Sequence, residues 1–233
     1  MRALIRAACL WLAVIVVAGC ASSEVTSYRP PQGRIERPDR ILVYDFAATA
    51  DELPADVAIA GRGAYVPRAT ASQLAVGREL GKRTAQYLVE DLRQAGLPAY
   101  RAAASAPANV GDGIVVGYFT TIDPGDATQR MVVGFGQGGA QLKTVVKGYL
   151  MTAGGLQPLG SGEVEAGSGK LPGGAVPLLV TLATGNPIGL AVGGAAKAYG
   201  EVSGEETVDG AAQRIASEVS AKIEATARRQ GWM

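Results

Sequence analysis

Ile41-Leu42-Val43-Tyr44-Asp45-Phe46 is a short β-rich run, with charge before it and a long loop over 47–69 after it, and it predicts a buried first strand. The rest of the fold reads outward from there. Thr70 stands three residues ahead of Gln73, a capping box that opens a helix. Leu74, Gly77, Leu80, Thr84, Leu88, Leu92 and Ala95 recur at steps of three and four along one face of it. Gly96 and Pro98 supply the stop. The run 114–119 predicts the next strand, Asp123-Pro124-Gly125-Asp126 a turn, and 130–135 another strand. Residues 141–151 alternate, with Lys143 and Lys147 on one face and Val146 and Leu150 on the other. Gly154-Gly155 makes a hairpin turn, and 157–166 returns as a weaker strand.

A last helix is expected from near Ser203, where Ser203 and Glu206 match a second capping box. Val208, Ala212, Ile215, Val219, Ile223 and Ala227 line its buried face. Glu218–Lys222 and Glu224–Arg228 are spaced for ion pairs outside, and Gly231 ends it before Trp232. This order predicts an α/β (α+β) domain over 41–233. Its single mixed, mainly antiparallel sheet carries two main amphipathic helices on one face, plus a glycine-rich apolar insertion over 171–200.

Composition excludes several functions. Histidine is absent, which removes Ser-His-Asp, Cys-His and HExxH chemistry. Lys and Arg total 22 against 21 Asp and Glu, so there is no basic field for nucleic acid. Hydrophobic residues make up 48% and charged ones 18%, enough to bury a core.

The N-terminus carries the most specific signal. Arg2 and Arg6 precede an uncharged apolar run over 7–18, shorter than the roughly 20 residues that a spanning helix needs. It ends in Val17-Ala18-Gly19-Cys20, which resembles a bacterial lipobox. The expected cut lies between Gly19 and Cys20. It removes a signal peptide over 1–19 and leaves Cys20 to be acylated, while Cys9 departs with the signal. Cys20 would then hold the chain to the membrane, with residues 20–40 as acylated cysteine and tether. Pro30, Pro31, Gly33 and Pro38 suit that role. Ala21 stands where an aspartate would mark inner-membrane retention. The resemblance therefore implies an outer-membrane lipoprotein facing the periplasm.

Other motifs have plainer readings beside the functional ones. Gly134, Gly136 and Gly139 match GxGxxG, but a strand rather than a helix follows, and no acid stands about 20 residues on. Asp45 reads either as a catalytic carboxylate or as an acid capping loop amides. Glu163 and Glu165 share a strand face and read as an acid pair or a solvated face. Ser168 near Lys170 lacks the preorganisation of a Ser-Lys dyad. Gly185, Gly189 and Gly193 lie four apart in 171–200, the spacing of a close helix contact. Pro187 argues against one straight span. That segment is a candidate interface for self-association or a protein partner, a lipid contact, or part of the domain's own core. No catalytic residue, cofactor or metal site is expected. A non-enzymatic binding or assembly role is the expectation. A subunit of an envelope secretion or transport assembly is the alternative, and a hydrolase a weaker one.

Three motifs and the chain's last residues resemble the lipoprotein family catalogued as domain of unknown function 4410. These are 41–46, Gly117-Tyr118-Phe119-Thr120-Thr121-Ile122-Asp123, Arg130-Met131-Val132-Val133-Gly134-Phe135-Gly136 and Arg229-Gln230-Gly231-Trp232. The resemblance implies a periplasmic, lipid-anchored α/β domain and transfers no functional residue. The strand–helix–strand opening is also similar in order to periplasmic domains of curli-type secretion lipoproteins, an analogy of fold alone.

Overall fold

Residues 22–31, 33–53, 70–103, 106–123, 140–167 and 207–233 are described in the computed structural model of the chain. They form β1 (Ser22–Arg29), β2 (Ile41–Tyr44), α1 (Ala71–Gln94), β3 (Ala99–Ala102), β4 (Gly113–Asp123), β5 (Gln141–Thr152), β6 (Gly155–Gly167) and α2 (Val208–Gln230). One sheet runs in the order β1-β6-β5-β4-β2-β3. β2 lies parallel to both β3 and β4, and the remaining pairs are antiparallel. The expected mixed sheet is therefore present, with both helices on one face. Val43, Val115, Phe119, Leu142, Val146 and Val164 point from the sheet into the same core as Leu80, Leu88, Leu92, Ile215 and Val219 from the helices. Ile114, Val116 and Tyr149 form a smaller cluster on the other face.

α1 begins as its sequence requires. The Thr70 side chain accepts from the Gln73 amide, and the Gln73 side chain accepts from the Thr70 amide. Gly96 follows with φ +82°. α2 starts later than expected. Its N-cap is Thr207, whose hydroxyl accepts from Gly210 N–H at 3.1 Å. Ser203 and Glu206, the capping box expected there, lie outside the described residues. The two helices are pinned side by side. Ser217 donates to Asp91 at 2.9 Å, and Tyr87 donates to Asp209 at 2.8 Å. Burial and that carboxylate push the Tyr87 phenol up to about 12.

At the centre of the fold Phe46 lies between two glycines, its ring against one and its backbone against the other. Phe46 follows β2, and its ring covers Gly117 so closely that a Cβ there would lie 2.3 Å from ring carbon. On the other side, a Cβ at Gly81 of α1 would lie 1.9 Å from the Phe46 carbonyl oxygen. Ala47 then donates to the Gly117 carbonyl at 2.8 Å, and Phe119 N–H donates back to Ala47 at 3.1 Å.

The segment 20–40, expected as a tether, is docked on the domain where it is described. Residues 22–29 form edge strand β1, paired antiparallel with β6. The segment beyond is strapped down by the end of α2. The Gln230 amide donates to the Gly33 carbonyl at 2.9 Å and accepts from Ile35 N–H at 2.9 Å. Buried Trp232 donates its indole N–H to the Ile35 carbonyl at 3.2 Å. Arg40 then grips buried Asp112 with two bonds, at 2.7 and 2.9 Å. The prolines that suggested a loose leash instead shape a docked strap. The signal peptide over 1–19, Cys20, and the strand expected over 130–135 lie outside the described residues.

Two outcomes follow. Phe46→Ala should cost about 3–5 kcal/mol, the range for emptying a buried aromatic site, read as a lower urea midpoint with an unchanged slope. The Arg40 guanidinium and the Asn109 amide hold the Asp112 carboxyl below its ordinary 3.8. Its contribution is therefore full above that value and is lost as pH falls through the lowered one. The urea midpoint of Asp112→Asn should thus lie below the parent's at pH 7, and the gap should narrow below about pH 4.

Candidate functional site

A hollow lies between α2 and the sheet, and Gly148 helps to make it. Gly148 of β5 faces Gly160 of β6, and the register then slips so that Leu159 is the extra residue between Gly160 and Pro158. Gly148 stands between Val146 and Leu150 on the helix-facing side, and the nearest atoms to a Cβ added there are 3.9 Å away. Gly160 and Gly162 have a different reason to be glycine. Cβ atoms there would lie 2.6 Å from the Arg29 carbonyl oxygen and 3.1 Å from that of Ser27, where β1 crosses. The result is a cavity of roughly 130 Å³ between α2 and the sheet. Val25, Val115, Val146, Val164, Val219 and Ile223 contribute to its apolar walls.

Its lining also includes a polar set. Tyr28, 38% exposed, brings its hydroxyl within 3.0 Å of Thr226 Oγ1. Lys222 places its ammonium 5.9 Å from the Tyr28 ring centroid. The expected Glu218–Lys222 pair is not formed. Glu218 accepts from Ser23 of β1 at 3.1 Å instead, so Lys222 turns to Tyr28. The expected Glu224–Arg228 pair is present at 3.3 Å.

Glu163 and Glu165, which the sequence suggested as an acid pair, flank core-facing Val164 and so lie on the opposite sheet face. Glu165 lies 2.7 Å from Lys143 Nζ and accepts from the Gln141 amide. Its oxygens are engaged, so Glu163 and Glu165 do not form a free acid pair. Lys147 is buried with its ammonium 5.9 Å from the centroid of the Tyr118 ring. Burial holds that ammonium below its ordinary pKa and pushes the Tyr118 phenol up, with the Glu163 charge adding to the latter. Among the described residues Asp45 caps no loop amide, and it does not stand free. Arg101 of β3 clasps both its oxygens, the longer bond 2.8 Å. Among the described residues no three potential metal ligands cluster, and no helix is long and apolar enough to cross a membrane.

Gly19 and Cys20 lie outside the described residues, as do Gly134, Gly136, Gly139, Ser168, Lys170, Gly185, Gly189 and Gly193. The assembly reading of 171–200 lies there too. Sequence reasoning missed Tyr28, Val25 and the cavity itself. The available signal was Val25-Thr26-Ser27-Tyr28, a β-prone run inside the supposed tether.

A mixed sheet with two helices on one face and an apolar recess beneath one of them defines the class of domain. The chain belongs to the family described as "Domain of unknown function (DUF4410)", matched over residues 41–185. No curated protein sequence matches it. Among solved structures, it is similar to the PelC dodecamer from Paraburkholderia phytofirmans in space group P6. That chain is 10% identical with a TM-score of 0.44, over 87% of this chain and 98% of the other. A leucine-to-methionine PelC dodecamer from the same organism is 13% identical with a TM-score of 0.37, over 70% and 89%.

The hollow has a measurable consequence. Gly148→Val adds a β-branched side chain where nothing stands in its way, and so should raise the melting temperature by a few degrees, about 1 kcal/mol for a domain of this size. A thermal melt that falls would mean that the space is not there.

Proposed function

We propose that the chain is a lipoprotein of the outer membrane, acylated at Cys20, whose periplasmic domain binds a ligand without catalysis. The observation that carries the binding role is the apolar cavity beneath α2. Its walls are mostly valine, isoleucine and glycine, with Pro31, Pro38, Tyr149, Leu159 and Trp232, and its polar side chains (Tyr28, Lys222 and Thr226 among them) make no nucleophile–base pair. The carboxylates Asp45, Asp112 and Glu165 are each held by a cation, which suits structure better than proton transfer.

The anchor rests on the Val17-Ala18-Gly19-Cys20 signal, and the fold supports it in one respect. β1 begins at Ser22, so only about 7 Å of extended chain separates Cys20 from the sheet. A domain so held would sit against the lipid surface rather than swing from a leash.

Cys20→Ser should abolish labelling by an alkyne fatty acid fed to cells, because a hydroxyl does not replace the thiolate in thioether formation. Equal labelling of parent and variant would remove the anchor. Fractionation of the parent with the inner membrane would remove the outer-membrane assignment. Both leave the cavity's role to be judged separately.

A further inference from the structure

We infer that the domain stands end-on against the bilayer, with the row Ser22, Gly167, Gln141 and Asp123 toward the lipid and the turn between β5 and β6 away from it. The inference rests on acylation at Cys20, proposed above, and names the surface that meets the membrane. It starts from register. Ser22 pairs with Gly167, Gly167 with Gln141, and Gln141 with Asp123, so the four stand side by side across β1, β6, β5 and β4. Neighbouring strands lie about 4.8 Å apart, which puts the whole row within about 15 Å of Ser22. Cys20 is two residues ahead of Ser22, so its acyl chains enter the bilayer beside this row.

A short anchor alone would let the sheet either stand or lie flat. Charge decides between them, because charged side chains lose hydration at an apolar surface and uncharged sequence does not. The sequence that leaves the row is poor in charge. Residues 124–139, between β4 and β5, have Asp126 and Arg130 as their only charges, and 171–200, beyond Gly167, have Lys197 alone. The opposite end is rich in it. The strap over 29–40 carries Arg29, Arg34, Glu36, Arg37, Asp39 and Arg40, six charges in twelve residues. Arg228 and Arg229 end α2, where Gln230 grips that strap. Laying the sheet flat would press a charged flank toward the lipid: Arg78, Lys82 and Arg83 on the helix side, each about half exposed, or Glu24 and Arg29 along the β1 edge.

The strands are long enough to tell the two postures apart. β1 runs from Ser22 to Arg29 and β5 from Gln141 to Thr152, about 24 and 37 Å at 3.4 Å per residue. End-on, Arg29 and the turn at Gly154 stand that much farther from the lipid than the row does. Flat, Arg29 comes as close as Glu24. The end-on posture turns the strap, the 152–155 turn and the end of α2 toward the periplasm.

The test uses the full acylated chain, purified from membranes and reconstituted in vesicles of phosphatidylethanolamine and phosphatidylglycerol whose headgroups carry a nitroxide. The sequence holds only Cys9 and Cys20. Cys9 leaves with the signal and acylated Cys20 does not react, so a single introduced cysteine takes a bimane fluorophore. Glu24→Cys and Gln141→Cys report on the row, Arg29→Cys and Gly154→Cys on the far end. Quenching by the nitroxide should be several-fold stronger at the first two than at the last two. A thermal melt confirms that each variant is folded, and Asp123→Cys takes the place of Gln141→Cys if that variant is not. Equal quenching at Glu24→Cys and Arg29→Cys would mean that the domain lies flat, and stronger quenching at Gly154→Cys than in the row that it is inverted; either overturns the proposal. No quenching at any position, in protein that floats with the vesicles, would show a domain standing clear of the lipid and overturn it as well. The mass of the N-terminal peptide separates these results from failure of the anchor: a Cys20 without acyl groups, in protein that does not float, would remove the anchor and this orientation together.

Discussion

Phe46 occupies the space that side chains at Gly117 and Gly81 would otherwise take, the first with its ring and the second with its carbonyl, and three layers meet at that point. α1 touches the chain leaving β2, and that chain in turn touches β4. Because both neighbours are glycines, backbone meets side chain and backbone directly, and the reciprocal bonds between Ala47, Gly117 and Phe119 can close. The distance between helix layer and sheet is set there. At the other end of the sheet no such ring intervenes. Gly148 on β5 stands under α2 with nothing nearer than 3.9 Å to a Cβ there, and a void is left. Core and cavity are two results of glycine facing a helix, one with a phenylalanine inserted and one without.

The charged groups divide along similar lines. Most have partners that hold elements in place: Arg40 with Asp112 at the starts of β2 and β4, Arg101 with Asp45 between β2 and β3, Lys143 with Glu165 between β5 and β6. Where both members are exposed, such pairs contribute little, on the order of 0–1 kcal/mol. Lys222 differs in kind. Its neighbour in the helix is diverted by Ser23, and its charge is left among the residues that line an apolar space.

Much of the fold could be read from the sequence because local chemistry agrees with it. The Thr70–Gln73 capping box, the Gly96 stop, the apolar run 41–43 and the alternation of 141–151 each specify one element without help from elsewhere. β3 could not be read. Its buried positions are Ala99 and Ala102, too small to announce an inward face, and it is a strand because β2 lies beside it. β1 was hidden by an irregularity. Its pairing skips Thr26, so the alternation of Val25 and Tyr28 is broken, and the prolines beyond it mimic a linker. The site was least legible of all. The glycines of β6 are plain in the sequence, but a void depends on which face they occupy and on how far α2 stands away. The diversion of Glu218 depends on a serine 195 residues distant.

β1 also sets a condition on how the molecule is made. A polypeptide emerges with its N-terminus first, so this strand exists long before its partner. Ser23 pairs with Ala166, and Trp232 reaches back to Ile35 across 197 residues. Until β6 arrives, the earliest strand has nothing to pair with, and until the end of α2 arrives nothing holds the segment after it. Loop closure over such separations is slow, and an unpaired edge invites association with other chains. The final turn of α2 therefore acts as a latch: it closes the strap around the N-terminal segment only after the whole sheet has been delivered.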